Sequence, residues 1–170
     1  NLYGEFYSEV IRGVEGAVRA RRYHTLLSSV HDGPDELASA LRTLVGRVDG
    51  LVVMSPDIGP DELEANLPAG LPVVILGSAL PGHASVSIDN AAGAAEAVAH
   101  LAGLGHERIA LLGGGDANRD AQARLAGYRR ALRDAGLAFD PALVLHGDFS
   151  ESSGHEAARA LLALDPRPTA

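Results

Sequence analysis

An α/β fold on parallel strands is predicted by three features of these 170 residues. Short apolar runs of strand length alternate with amphipathic helical stretches, and strands separated by helices imply right-handed crossovers into a parallel sheet. The run Gly50-Leu51-Val52-Val53-Met54 is continuously apolar, the pattern of a strand covered on both faces. The alternation lapses once, from Val73 to Ile88, where two strands follow each other without a helix, so a lobe boundary is placed near Asp89.

The elements follow in order. Tyr7, Val10, Ile11, Val14 and Val18 recur at helical spacing, predicting an amphipathic helix over Phe6 to Val18. Thr25 to Ser29 reads as a strand. Pro34 suits a first helical position, with Asp35 and Glu36 favourable to the positive pole of the helix dipole. Leu37, Leu41, Leu44 and Val45 carry the buried stripe of that helix. After Gly50 to Met54 come a short helix from Pro60 to Asn66, a strand at Val73 to Leu76, and a short strand through Val86 and Ile88. Ala91 to Leu104 is an alanine-rich helix stopped by Gly105. A strand at Ile109 to Leu112, a helix from Gln122 to Ala135 and a strand at Leu143 to Leu145 complete the alternation. Ser153 and Glu156 have the spacing of a capping box before the last helix.

Composition removes several functions. There is no cysteine, which excludes disulfides, thiolate metal sites and cysteine nucleophiles from this stretch. All 14 basic residues are arginine, so a Schiff-base lysine and the lysine of a phosphate-binding P-loop are excluded too. A formal net charge of −8 makes the segment a poor surface for gripping a phosphate backbone. No apolar run reaches the ~20 residues of a membrane-spanning helix. The seven histidines show no paired metal-ligand spacing, no serine sits in a Gly-x-Ser-x-Gly elbow, and Asn118 stands where a dinucleotide fingerprint after Gly113-Gly114-Gly115 needs glycine. No metal, cofactor or catalytic residue is assigned.

Ligands of parallel α/β sheets bind beyond the carboxyl ends of the strands. That rule selects Ser28 and Ser29, Met54 and Ser55, Gly77 and Ser78, Asp89 and Asn90, Gly113 to Asp120, and Gly147 to Ser150, with Arg124 just inside the following helix. Carboxylates and amides for hydroxyl groups, an arginine for paired acceptors and Phe149 for an apolar ring face suit a neutral polyhydroxylated ligand. Asp89, Asn90, Asn118, Asp120 and Ser150 are also good helix N-caps, and capping is compatible with ligand contact because one oxygen can remain free.

The stretch His100-Leu101-Ala102-Gly103-Leu104-Gly105-His106-Glu107-Arg108-Ile109-Ala110-Leu111-Leu112-Gly113 resembles a signature of the LacI/GalR transcriptional regulators. Other pieces stand in that family's order: Arg47 to Val53, Leu71 to Val74, Ile88-Asp89-Asn90, Arg124-Leu125-Ala126-Gly127-Tyr128, Gly147-Asp148-Phe149 and Arg167 to Ala170. The resemblance covers essentially the whole chain.

It implies a two-lobed, periplasmic-binding-protein-like α/β fold with parallel sheets flanked by helices. Residues 1–89 would be the first lobe without its first strand, and 90–170 a C-terminally truncated second lobe, both incomplete. Cut in this way, an isolated 1–170 polypeptide is expected to fold poorly, because its sheets keep unpaired edges. The implied function is effector sensing. A small molecule, expected to be a sugar, would bind between the lobes and control DNA binding allosterically in a cytoplasmic homodimer, paired through the first-lobe helices Phe6 to Val18 and Asp35 to Val45. Operator DNA would be contacted only by a helix-turn-helix domain outside this chain, and no membrane is involved. Carried over by position, the ligand-binding residues are Arg124, Phe149, Asp89, Asp120, Asn118, Tyr7, Phe6 and Ser55. The opening Asn1 to Tyr7, the stretch on which the carry-over to Phe6 and Tyr7 rests, departs from the commoner family pattern. The alternative is the periplasmic sugar-binding protein of an ABC transporter, which shares the fold.

Overall fold

A computed structural model describes residues 5–29, 34–54 and 57–170. The chain divides into two compact units, one of residues 1–54 and 58–85 and the other of residues 55–57 and 86–170.

The first unit contains α1 (Glu5–Arg19), α2 (Pro34–Leu44), β1 (Leu51–Met54), α3 (Pro60–Asn66), β2 (Val73–Leu76) and β3 (Ala84–Val86). Its sheet has the order β1-β2-β3. β1 and β2 are parallel, with Leu51 opposite Val73 and Met54 opposite Leu76. The side chains that alternate inward, Leu51, Val53, Val73 and Ile75, form one core with Leu37 and Leu41 of α2 and Leu63 of α3. In α1 the half-buried positions include Tyr7, Val10, Ile11, Val14 and Val18, the stripe its spacing predicts.

Two expectations fail in this unit. Thr25 to Ser29 is not a strand: no ladder reaches it among the described residues, and Leu26 and Leu27 are 58% and 55% exposed. A strand is defined by its hydrogen-bonded neighbour, and β-propensity alone supplies none. Nor is β1 covered on both faces. The core residues of α2 and α3 meet the same face of the sheet, which leaves Val52 50% exposed.

The second unit contains α4 (Asn90–Gly103), β4 (Leu111–Gly113), α5 (Arg119–Asp134), a 3-10 turn (Pro141–Leu143), β5 (Val144–His146) and α6 (Glu151–Leu162). β4 and β5 pair in parallel, Leu111 opposite Val144 and Gly113 opposite His146. The core joins Val98 of α4, Ile109, and Leu125, Tyr128, Ala131 and Leu132 of α5. Tyr128 is fully buried and its hydroxyl donates to the Ile109 carbonyl at 2.8 Å. Burial, and secondarily the negative charge of Asp140, push its phenol above the ordinary value.

Boundaries shift where polar contacts decide them. α5 begins at Arg119 because Asn118 accepts from the Ala121 amide at 2.9 Å. The cap of α6 is Ser150 rather than Ser153, since Ser150 Oγ accepts from the Ser153 amide at 3.1 Å. Ile109 and Ala110 lie ahead of the β4 ladder, where the Ala110 amide donates to the Ala170 carbonyl at 2.6 Å. Leu143 closes the 3-10 turn instead of opening β5.

α4 and α5 approach closely. Gly127 of α5 lies against the α4 backbone so closely that an added Cβ would come within 2.1 Å of the Ala91 carbonyl oxygen. Gly127→Ala should therefore destabilise the protein by about 1–3 kcal/mol through overpacking, read as a lower thermal midpoint; an unchanged midpoint would show that α4 and α5 separate freely.

Candidate functional site

The second unit brings five polar or aromatic side chains together at the starts of its helices. Asp89 caps α4, its Oδ1 accepting from the Ala92 amide at 2.9 Å. The next residue, Asn90, faces α5: its Nδ2 donates to Asp120 Oδ1 at 3.0 Å, and its Oδ1 accepts from Arg124 Nη1 at 2.7 Å. Asp120 and Arg124 are four residues apart on α5, hence on one helix face. The amide between them can point only one way, because its NH2 must meet the carboxylate and its carbonyl the guanidinium. Each charged group spends one atom on the bridge. Asp120 Oδ2 and the other Arg124 N–H groups have no protein partner among the described residues and are free to bind.

Phe149 supplies the aromatic face. Arg124 Cζ lies 5.8 Å from its ring centroid, within cation–π range, and the residue is 63% exposed. Its φ of 64° is left-handed, a conformation that costs a residue with a Cβ about 1–2 kcal/mol. The turn around it is closely tied. Asp148 Oδ1 accepts from the Ser150 amide at 2.9 Å, the Asp148 amide donates to Ser153 Oγ at 3.2 Å, and Ser153 Oγ donates to the Ser150 carbonyl at 3.1 Å. Before it, the Gly147 amide donates to the Gly113 carbonyl at 2.8 Å, extending the line of the sheet.

The expected residues thus fall into groups. Asp120, Arg124 and Phe149 are brought together, with Asp89 beside them through Asn90. Asn118 holds the start of α5. Phe6 and Tyr7 belong to the first unit, where their rings pack edge-to-face with centroids 5.6 Å apart and Phe6 is 50% exposed. Ser55 lies outside the described residues. Of the residues treated as possible caps, Asn90 is none: it is the first residue of α4 and the bridge of the site. The strand-end rule places it, with Asp89, among the candidate ligand positions, but its bridging role depends on partners 30 and 34 residues away. Among the described residues no group of three or more His, Asp or Glu could hold a metal ion.

A set of hydrogen-bonding groups beside one exposed ring face can bind a polar ligand. Parallel sheets flanked by helices and the solved structures it resembles make this a periplasmic-binding-protein-like fold. The chain belongs to the family described as periplasmic binding proteins and sugar binding domain of LacI family, which it matches over residues 3–170. Catabolite control protein A of Priestia megaterium is 32% identical over 169 residues, covering 97% of this chain and 51% of that protein. The HTH-type transcriptional repressor PurR of Vibrio cholerae is 34% identical over 170 residues, covering 97% and 50%. A LacI family transcriptional regulator from Mycobacterium smegmatis superposes with a TM-score of 0.80 at 29% identity, covering 99% of this chain and 62% of that one. The transcriptional regulator CelR in complex with cellobiose gives 0.79 at 34% identity, covering 97% and 52%. The chain spans about half the length of the curated relatives it matches. Among the described residues, no helix is long and apolar enough to cross a membrane.

The turn that presents Phe149 carries a testable charge. Hydrogen bonding from Ser150, through its side chain and its amide at 2.9 Å from Oδ1, holds the Asp148 carboxyl well below the usual carboxylate range. Because the folded value is the lower one, the contribution of this carboxylate to stability is complete above about pH 4 and is lost as pH falls through the depressed value. An NMR titration should find Asp148 still ionised at about pH 3; a midpoint near 4 would mean the serine contacts do not persist in solution.

Proposed function

We propose that this chain is the effector-sensing part of a LacI-type transcriptional repressor, and that its effector is a sugar. Residues 1–89 act as the first lobe and 90–170 as the second. The observation that carries the reading is the Asp120–Asn90–Arg124 array beside the exposed Phe149 ring. A pyranose offers such a site vicinal hydroxyls for the carboxylate and the guanidinium fork, and a C–H face for the ring. The cellobiose complex of a relative supports this ligand class. Asp89, Asn118, Phe6, Tyr7 and Ser55 complete the proposed contacts.

The mechanism is that of a sensor rather than an enzyme. Effector binding controls DNA binding by a separate helix-turn-helix domain, and the coupling equals the difference in effector affinity between two states of the regulator. The protein works in the cytoplasm as a homodimer, paired through α1 and α2. The relatives reported above are regulators, which favours this reading over a transporter's binding protein.

A panel of mono- and disaccharides including cellobiose, screened by thermal shift against the full-length protein, should yield a stabilising sugar. At a hundredfold excess over Kd the gain is about 2.7 kcal/mol, or roughly 5–10 °C for a domain of this size. Arg124→Ala should weaken that sugar by roughly 10- to 100-fold, the cost of a charge-assisted hydrogen bond. Wild-type affinity in that variant would remove Arg124 from the site.

A further inference from the structure

Gly114, inside the strand-end stretch Gly113 to Asp120, decides where the Phe149 ring can lie. It is buried directly after β4. A Cβ built on it would meet Phe149 Cζ at 2.1 Å, Cε2 at 2.5 Å and Cε1 at 3.1 Å. A methyl group enters that space only if the ring moves aside. The glycine is not there for backbone freedom, since Gly46, Gly70, Gly77, Gly82, Gly105 and Gly136 have positive φ and Gly114 does not. Its carbonyl is also engaged, 2.9 Å from His146 Nδ1 at the end of β5. Phe149, whose ring edge lies over this gap, has a left-handed backbone. Two unusual features, a missing Cβ and a costly φ, thus serve one ring position, and neither has another evident use.

We propose that Gly114 is a positioning residue for ligand recognition: by lacking a side chain it admits the far edge of the Phe149 ring, and so sets the depth at which a sugar ring can stack beside Arg124. This rests on the effector reading given above and adds a determinant of specificity to it. With a larger residue at 114 the ring must swing outward, into the volume that a ligand would occupy next to the guanidinium. Shallow stacking would then disfavour ligands that need both the ring face and the Arg124 fork.

A cycle of Gly114→Ala, Phe149→Ala and the double variant in the full-length protein tests this with two readouts. In thermal melts, Gly114→Ala should lower the midpoint by roughly 3–6 °C when Phe149 is present, and by much less in the Phe149→Ala background. In calorimetric titrations with the sugar that stabilises the wild type best, Gly114→Ala should weaken binding at least tenfold, with no further loss once Phe149 is removed. Equal midpoint drops in both backgrounds would overturn the proposal, because Gly114 would then act independently of the ring. So would coupled melts with unchanged sugar affinity. If no sugar of the panel binds the wild type, the effector reading fails on its own, and the melts alone decide whether Gly114 positions the ring.

Discussion

The close approach of α4 to α5 is the constraint on which the site depends. Gly127 rests against the backbone of Ala91, a contact that any side chain at 127 would prevent. One residue before Ala91 stands Asn90, and on α5 the residues Asp120 and Arg124 lie on the turns leading to Gly127. The same closeness lets one short amide reach a carboxylate and a guanidinium together, at 3.0 and 2.7 Å. A long helix separation would have left two solvated charges with no fixed geometry. The buried Tyr128, tied to the Ile109 carbonyl next to Gly127 in sequence, fixes the other side of α5 to the core.

Placing an amide between Asp120 and Arg124 has a chemical consequence. A direct, half-exposed salt bridge would satisfy both groups and contribute little stability. With Asn90 interposed, each charge is oriented by one hydrogen bond and keeps unused capacity on its other atoms. Orientation without saturation is what a binding site for neutral hydroxyls requires, since such a ligand must find donors and acceptors that are ordered before it arrives. Phe149 follows the same logic. Its left-handed backbone is held by the serine and aspartate contacts of the turn, so the strain is carried by the scaffold and not by the ligand.

Much of this was legible in the amino-acid sequence, for a reason that also marks its limit. Apolar spacing is a local property, so the stripes of α1 and α2, the apolar strands β1 and β2, and the helices beginning beside Asp89 and Asn118 could be read from it. What escaped depends on distance in space. Thr25 to Ser29 has strand composition but no neighbour among the described residues. The pattern of β1 promised cover on two faces, and the packing of α2 and α3 supplies one. Ser150 and Ser153 both resemble caps, and only the hydrogen bond to the Ser153 amide separates them. Asn90 and Gly114 are the sharpest cases. Asn90 stands among both the cap candidates and the strand-end positions, and only its two distant partners make it the bridge; Gly114 lies in a strand-end stretch, and only the ring beside it gives its missing side chain a use.

The most direct measurement of the central claim is an NMR titration that follows the side-chain N–H signals of Arg124 and Asn90 while sugar is added to the full-length protein. The account predicts that both sets of signals are sharp and slowly exchanging before ligand arrives, since the bridge is already formed, and that they shift together along one binding curve. A sugar that bound with the Arg124 and Asn90 signals unmoved would contradict it, placing recognition elsewhere in the molecule.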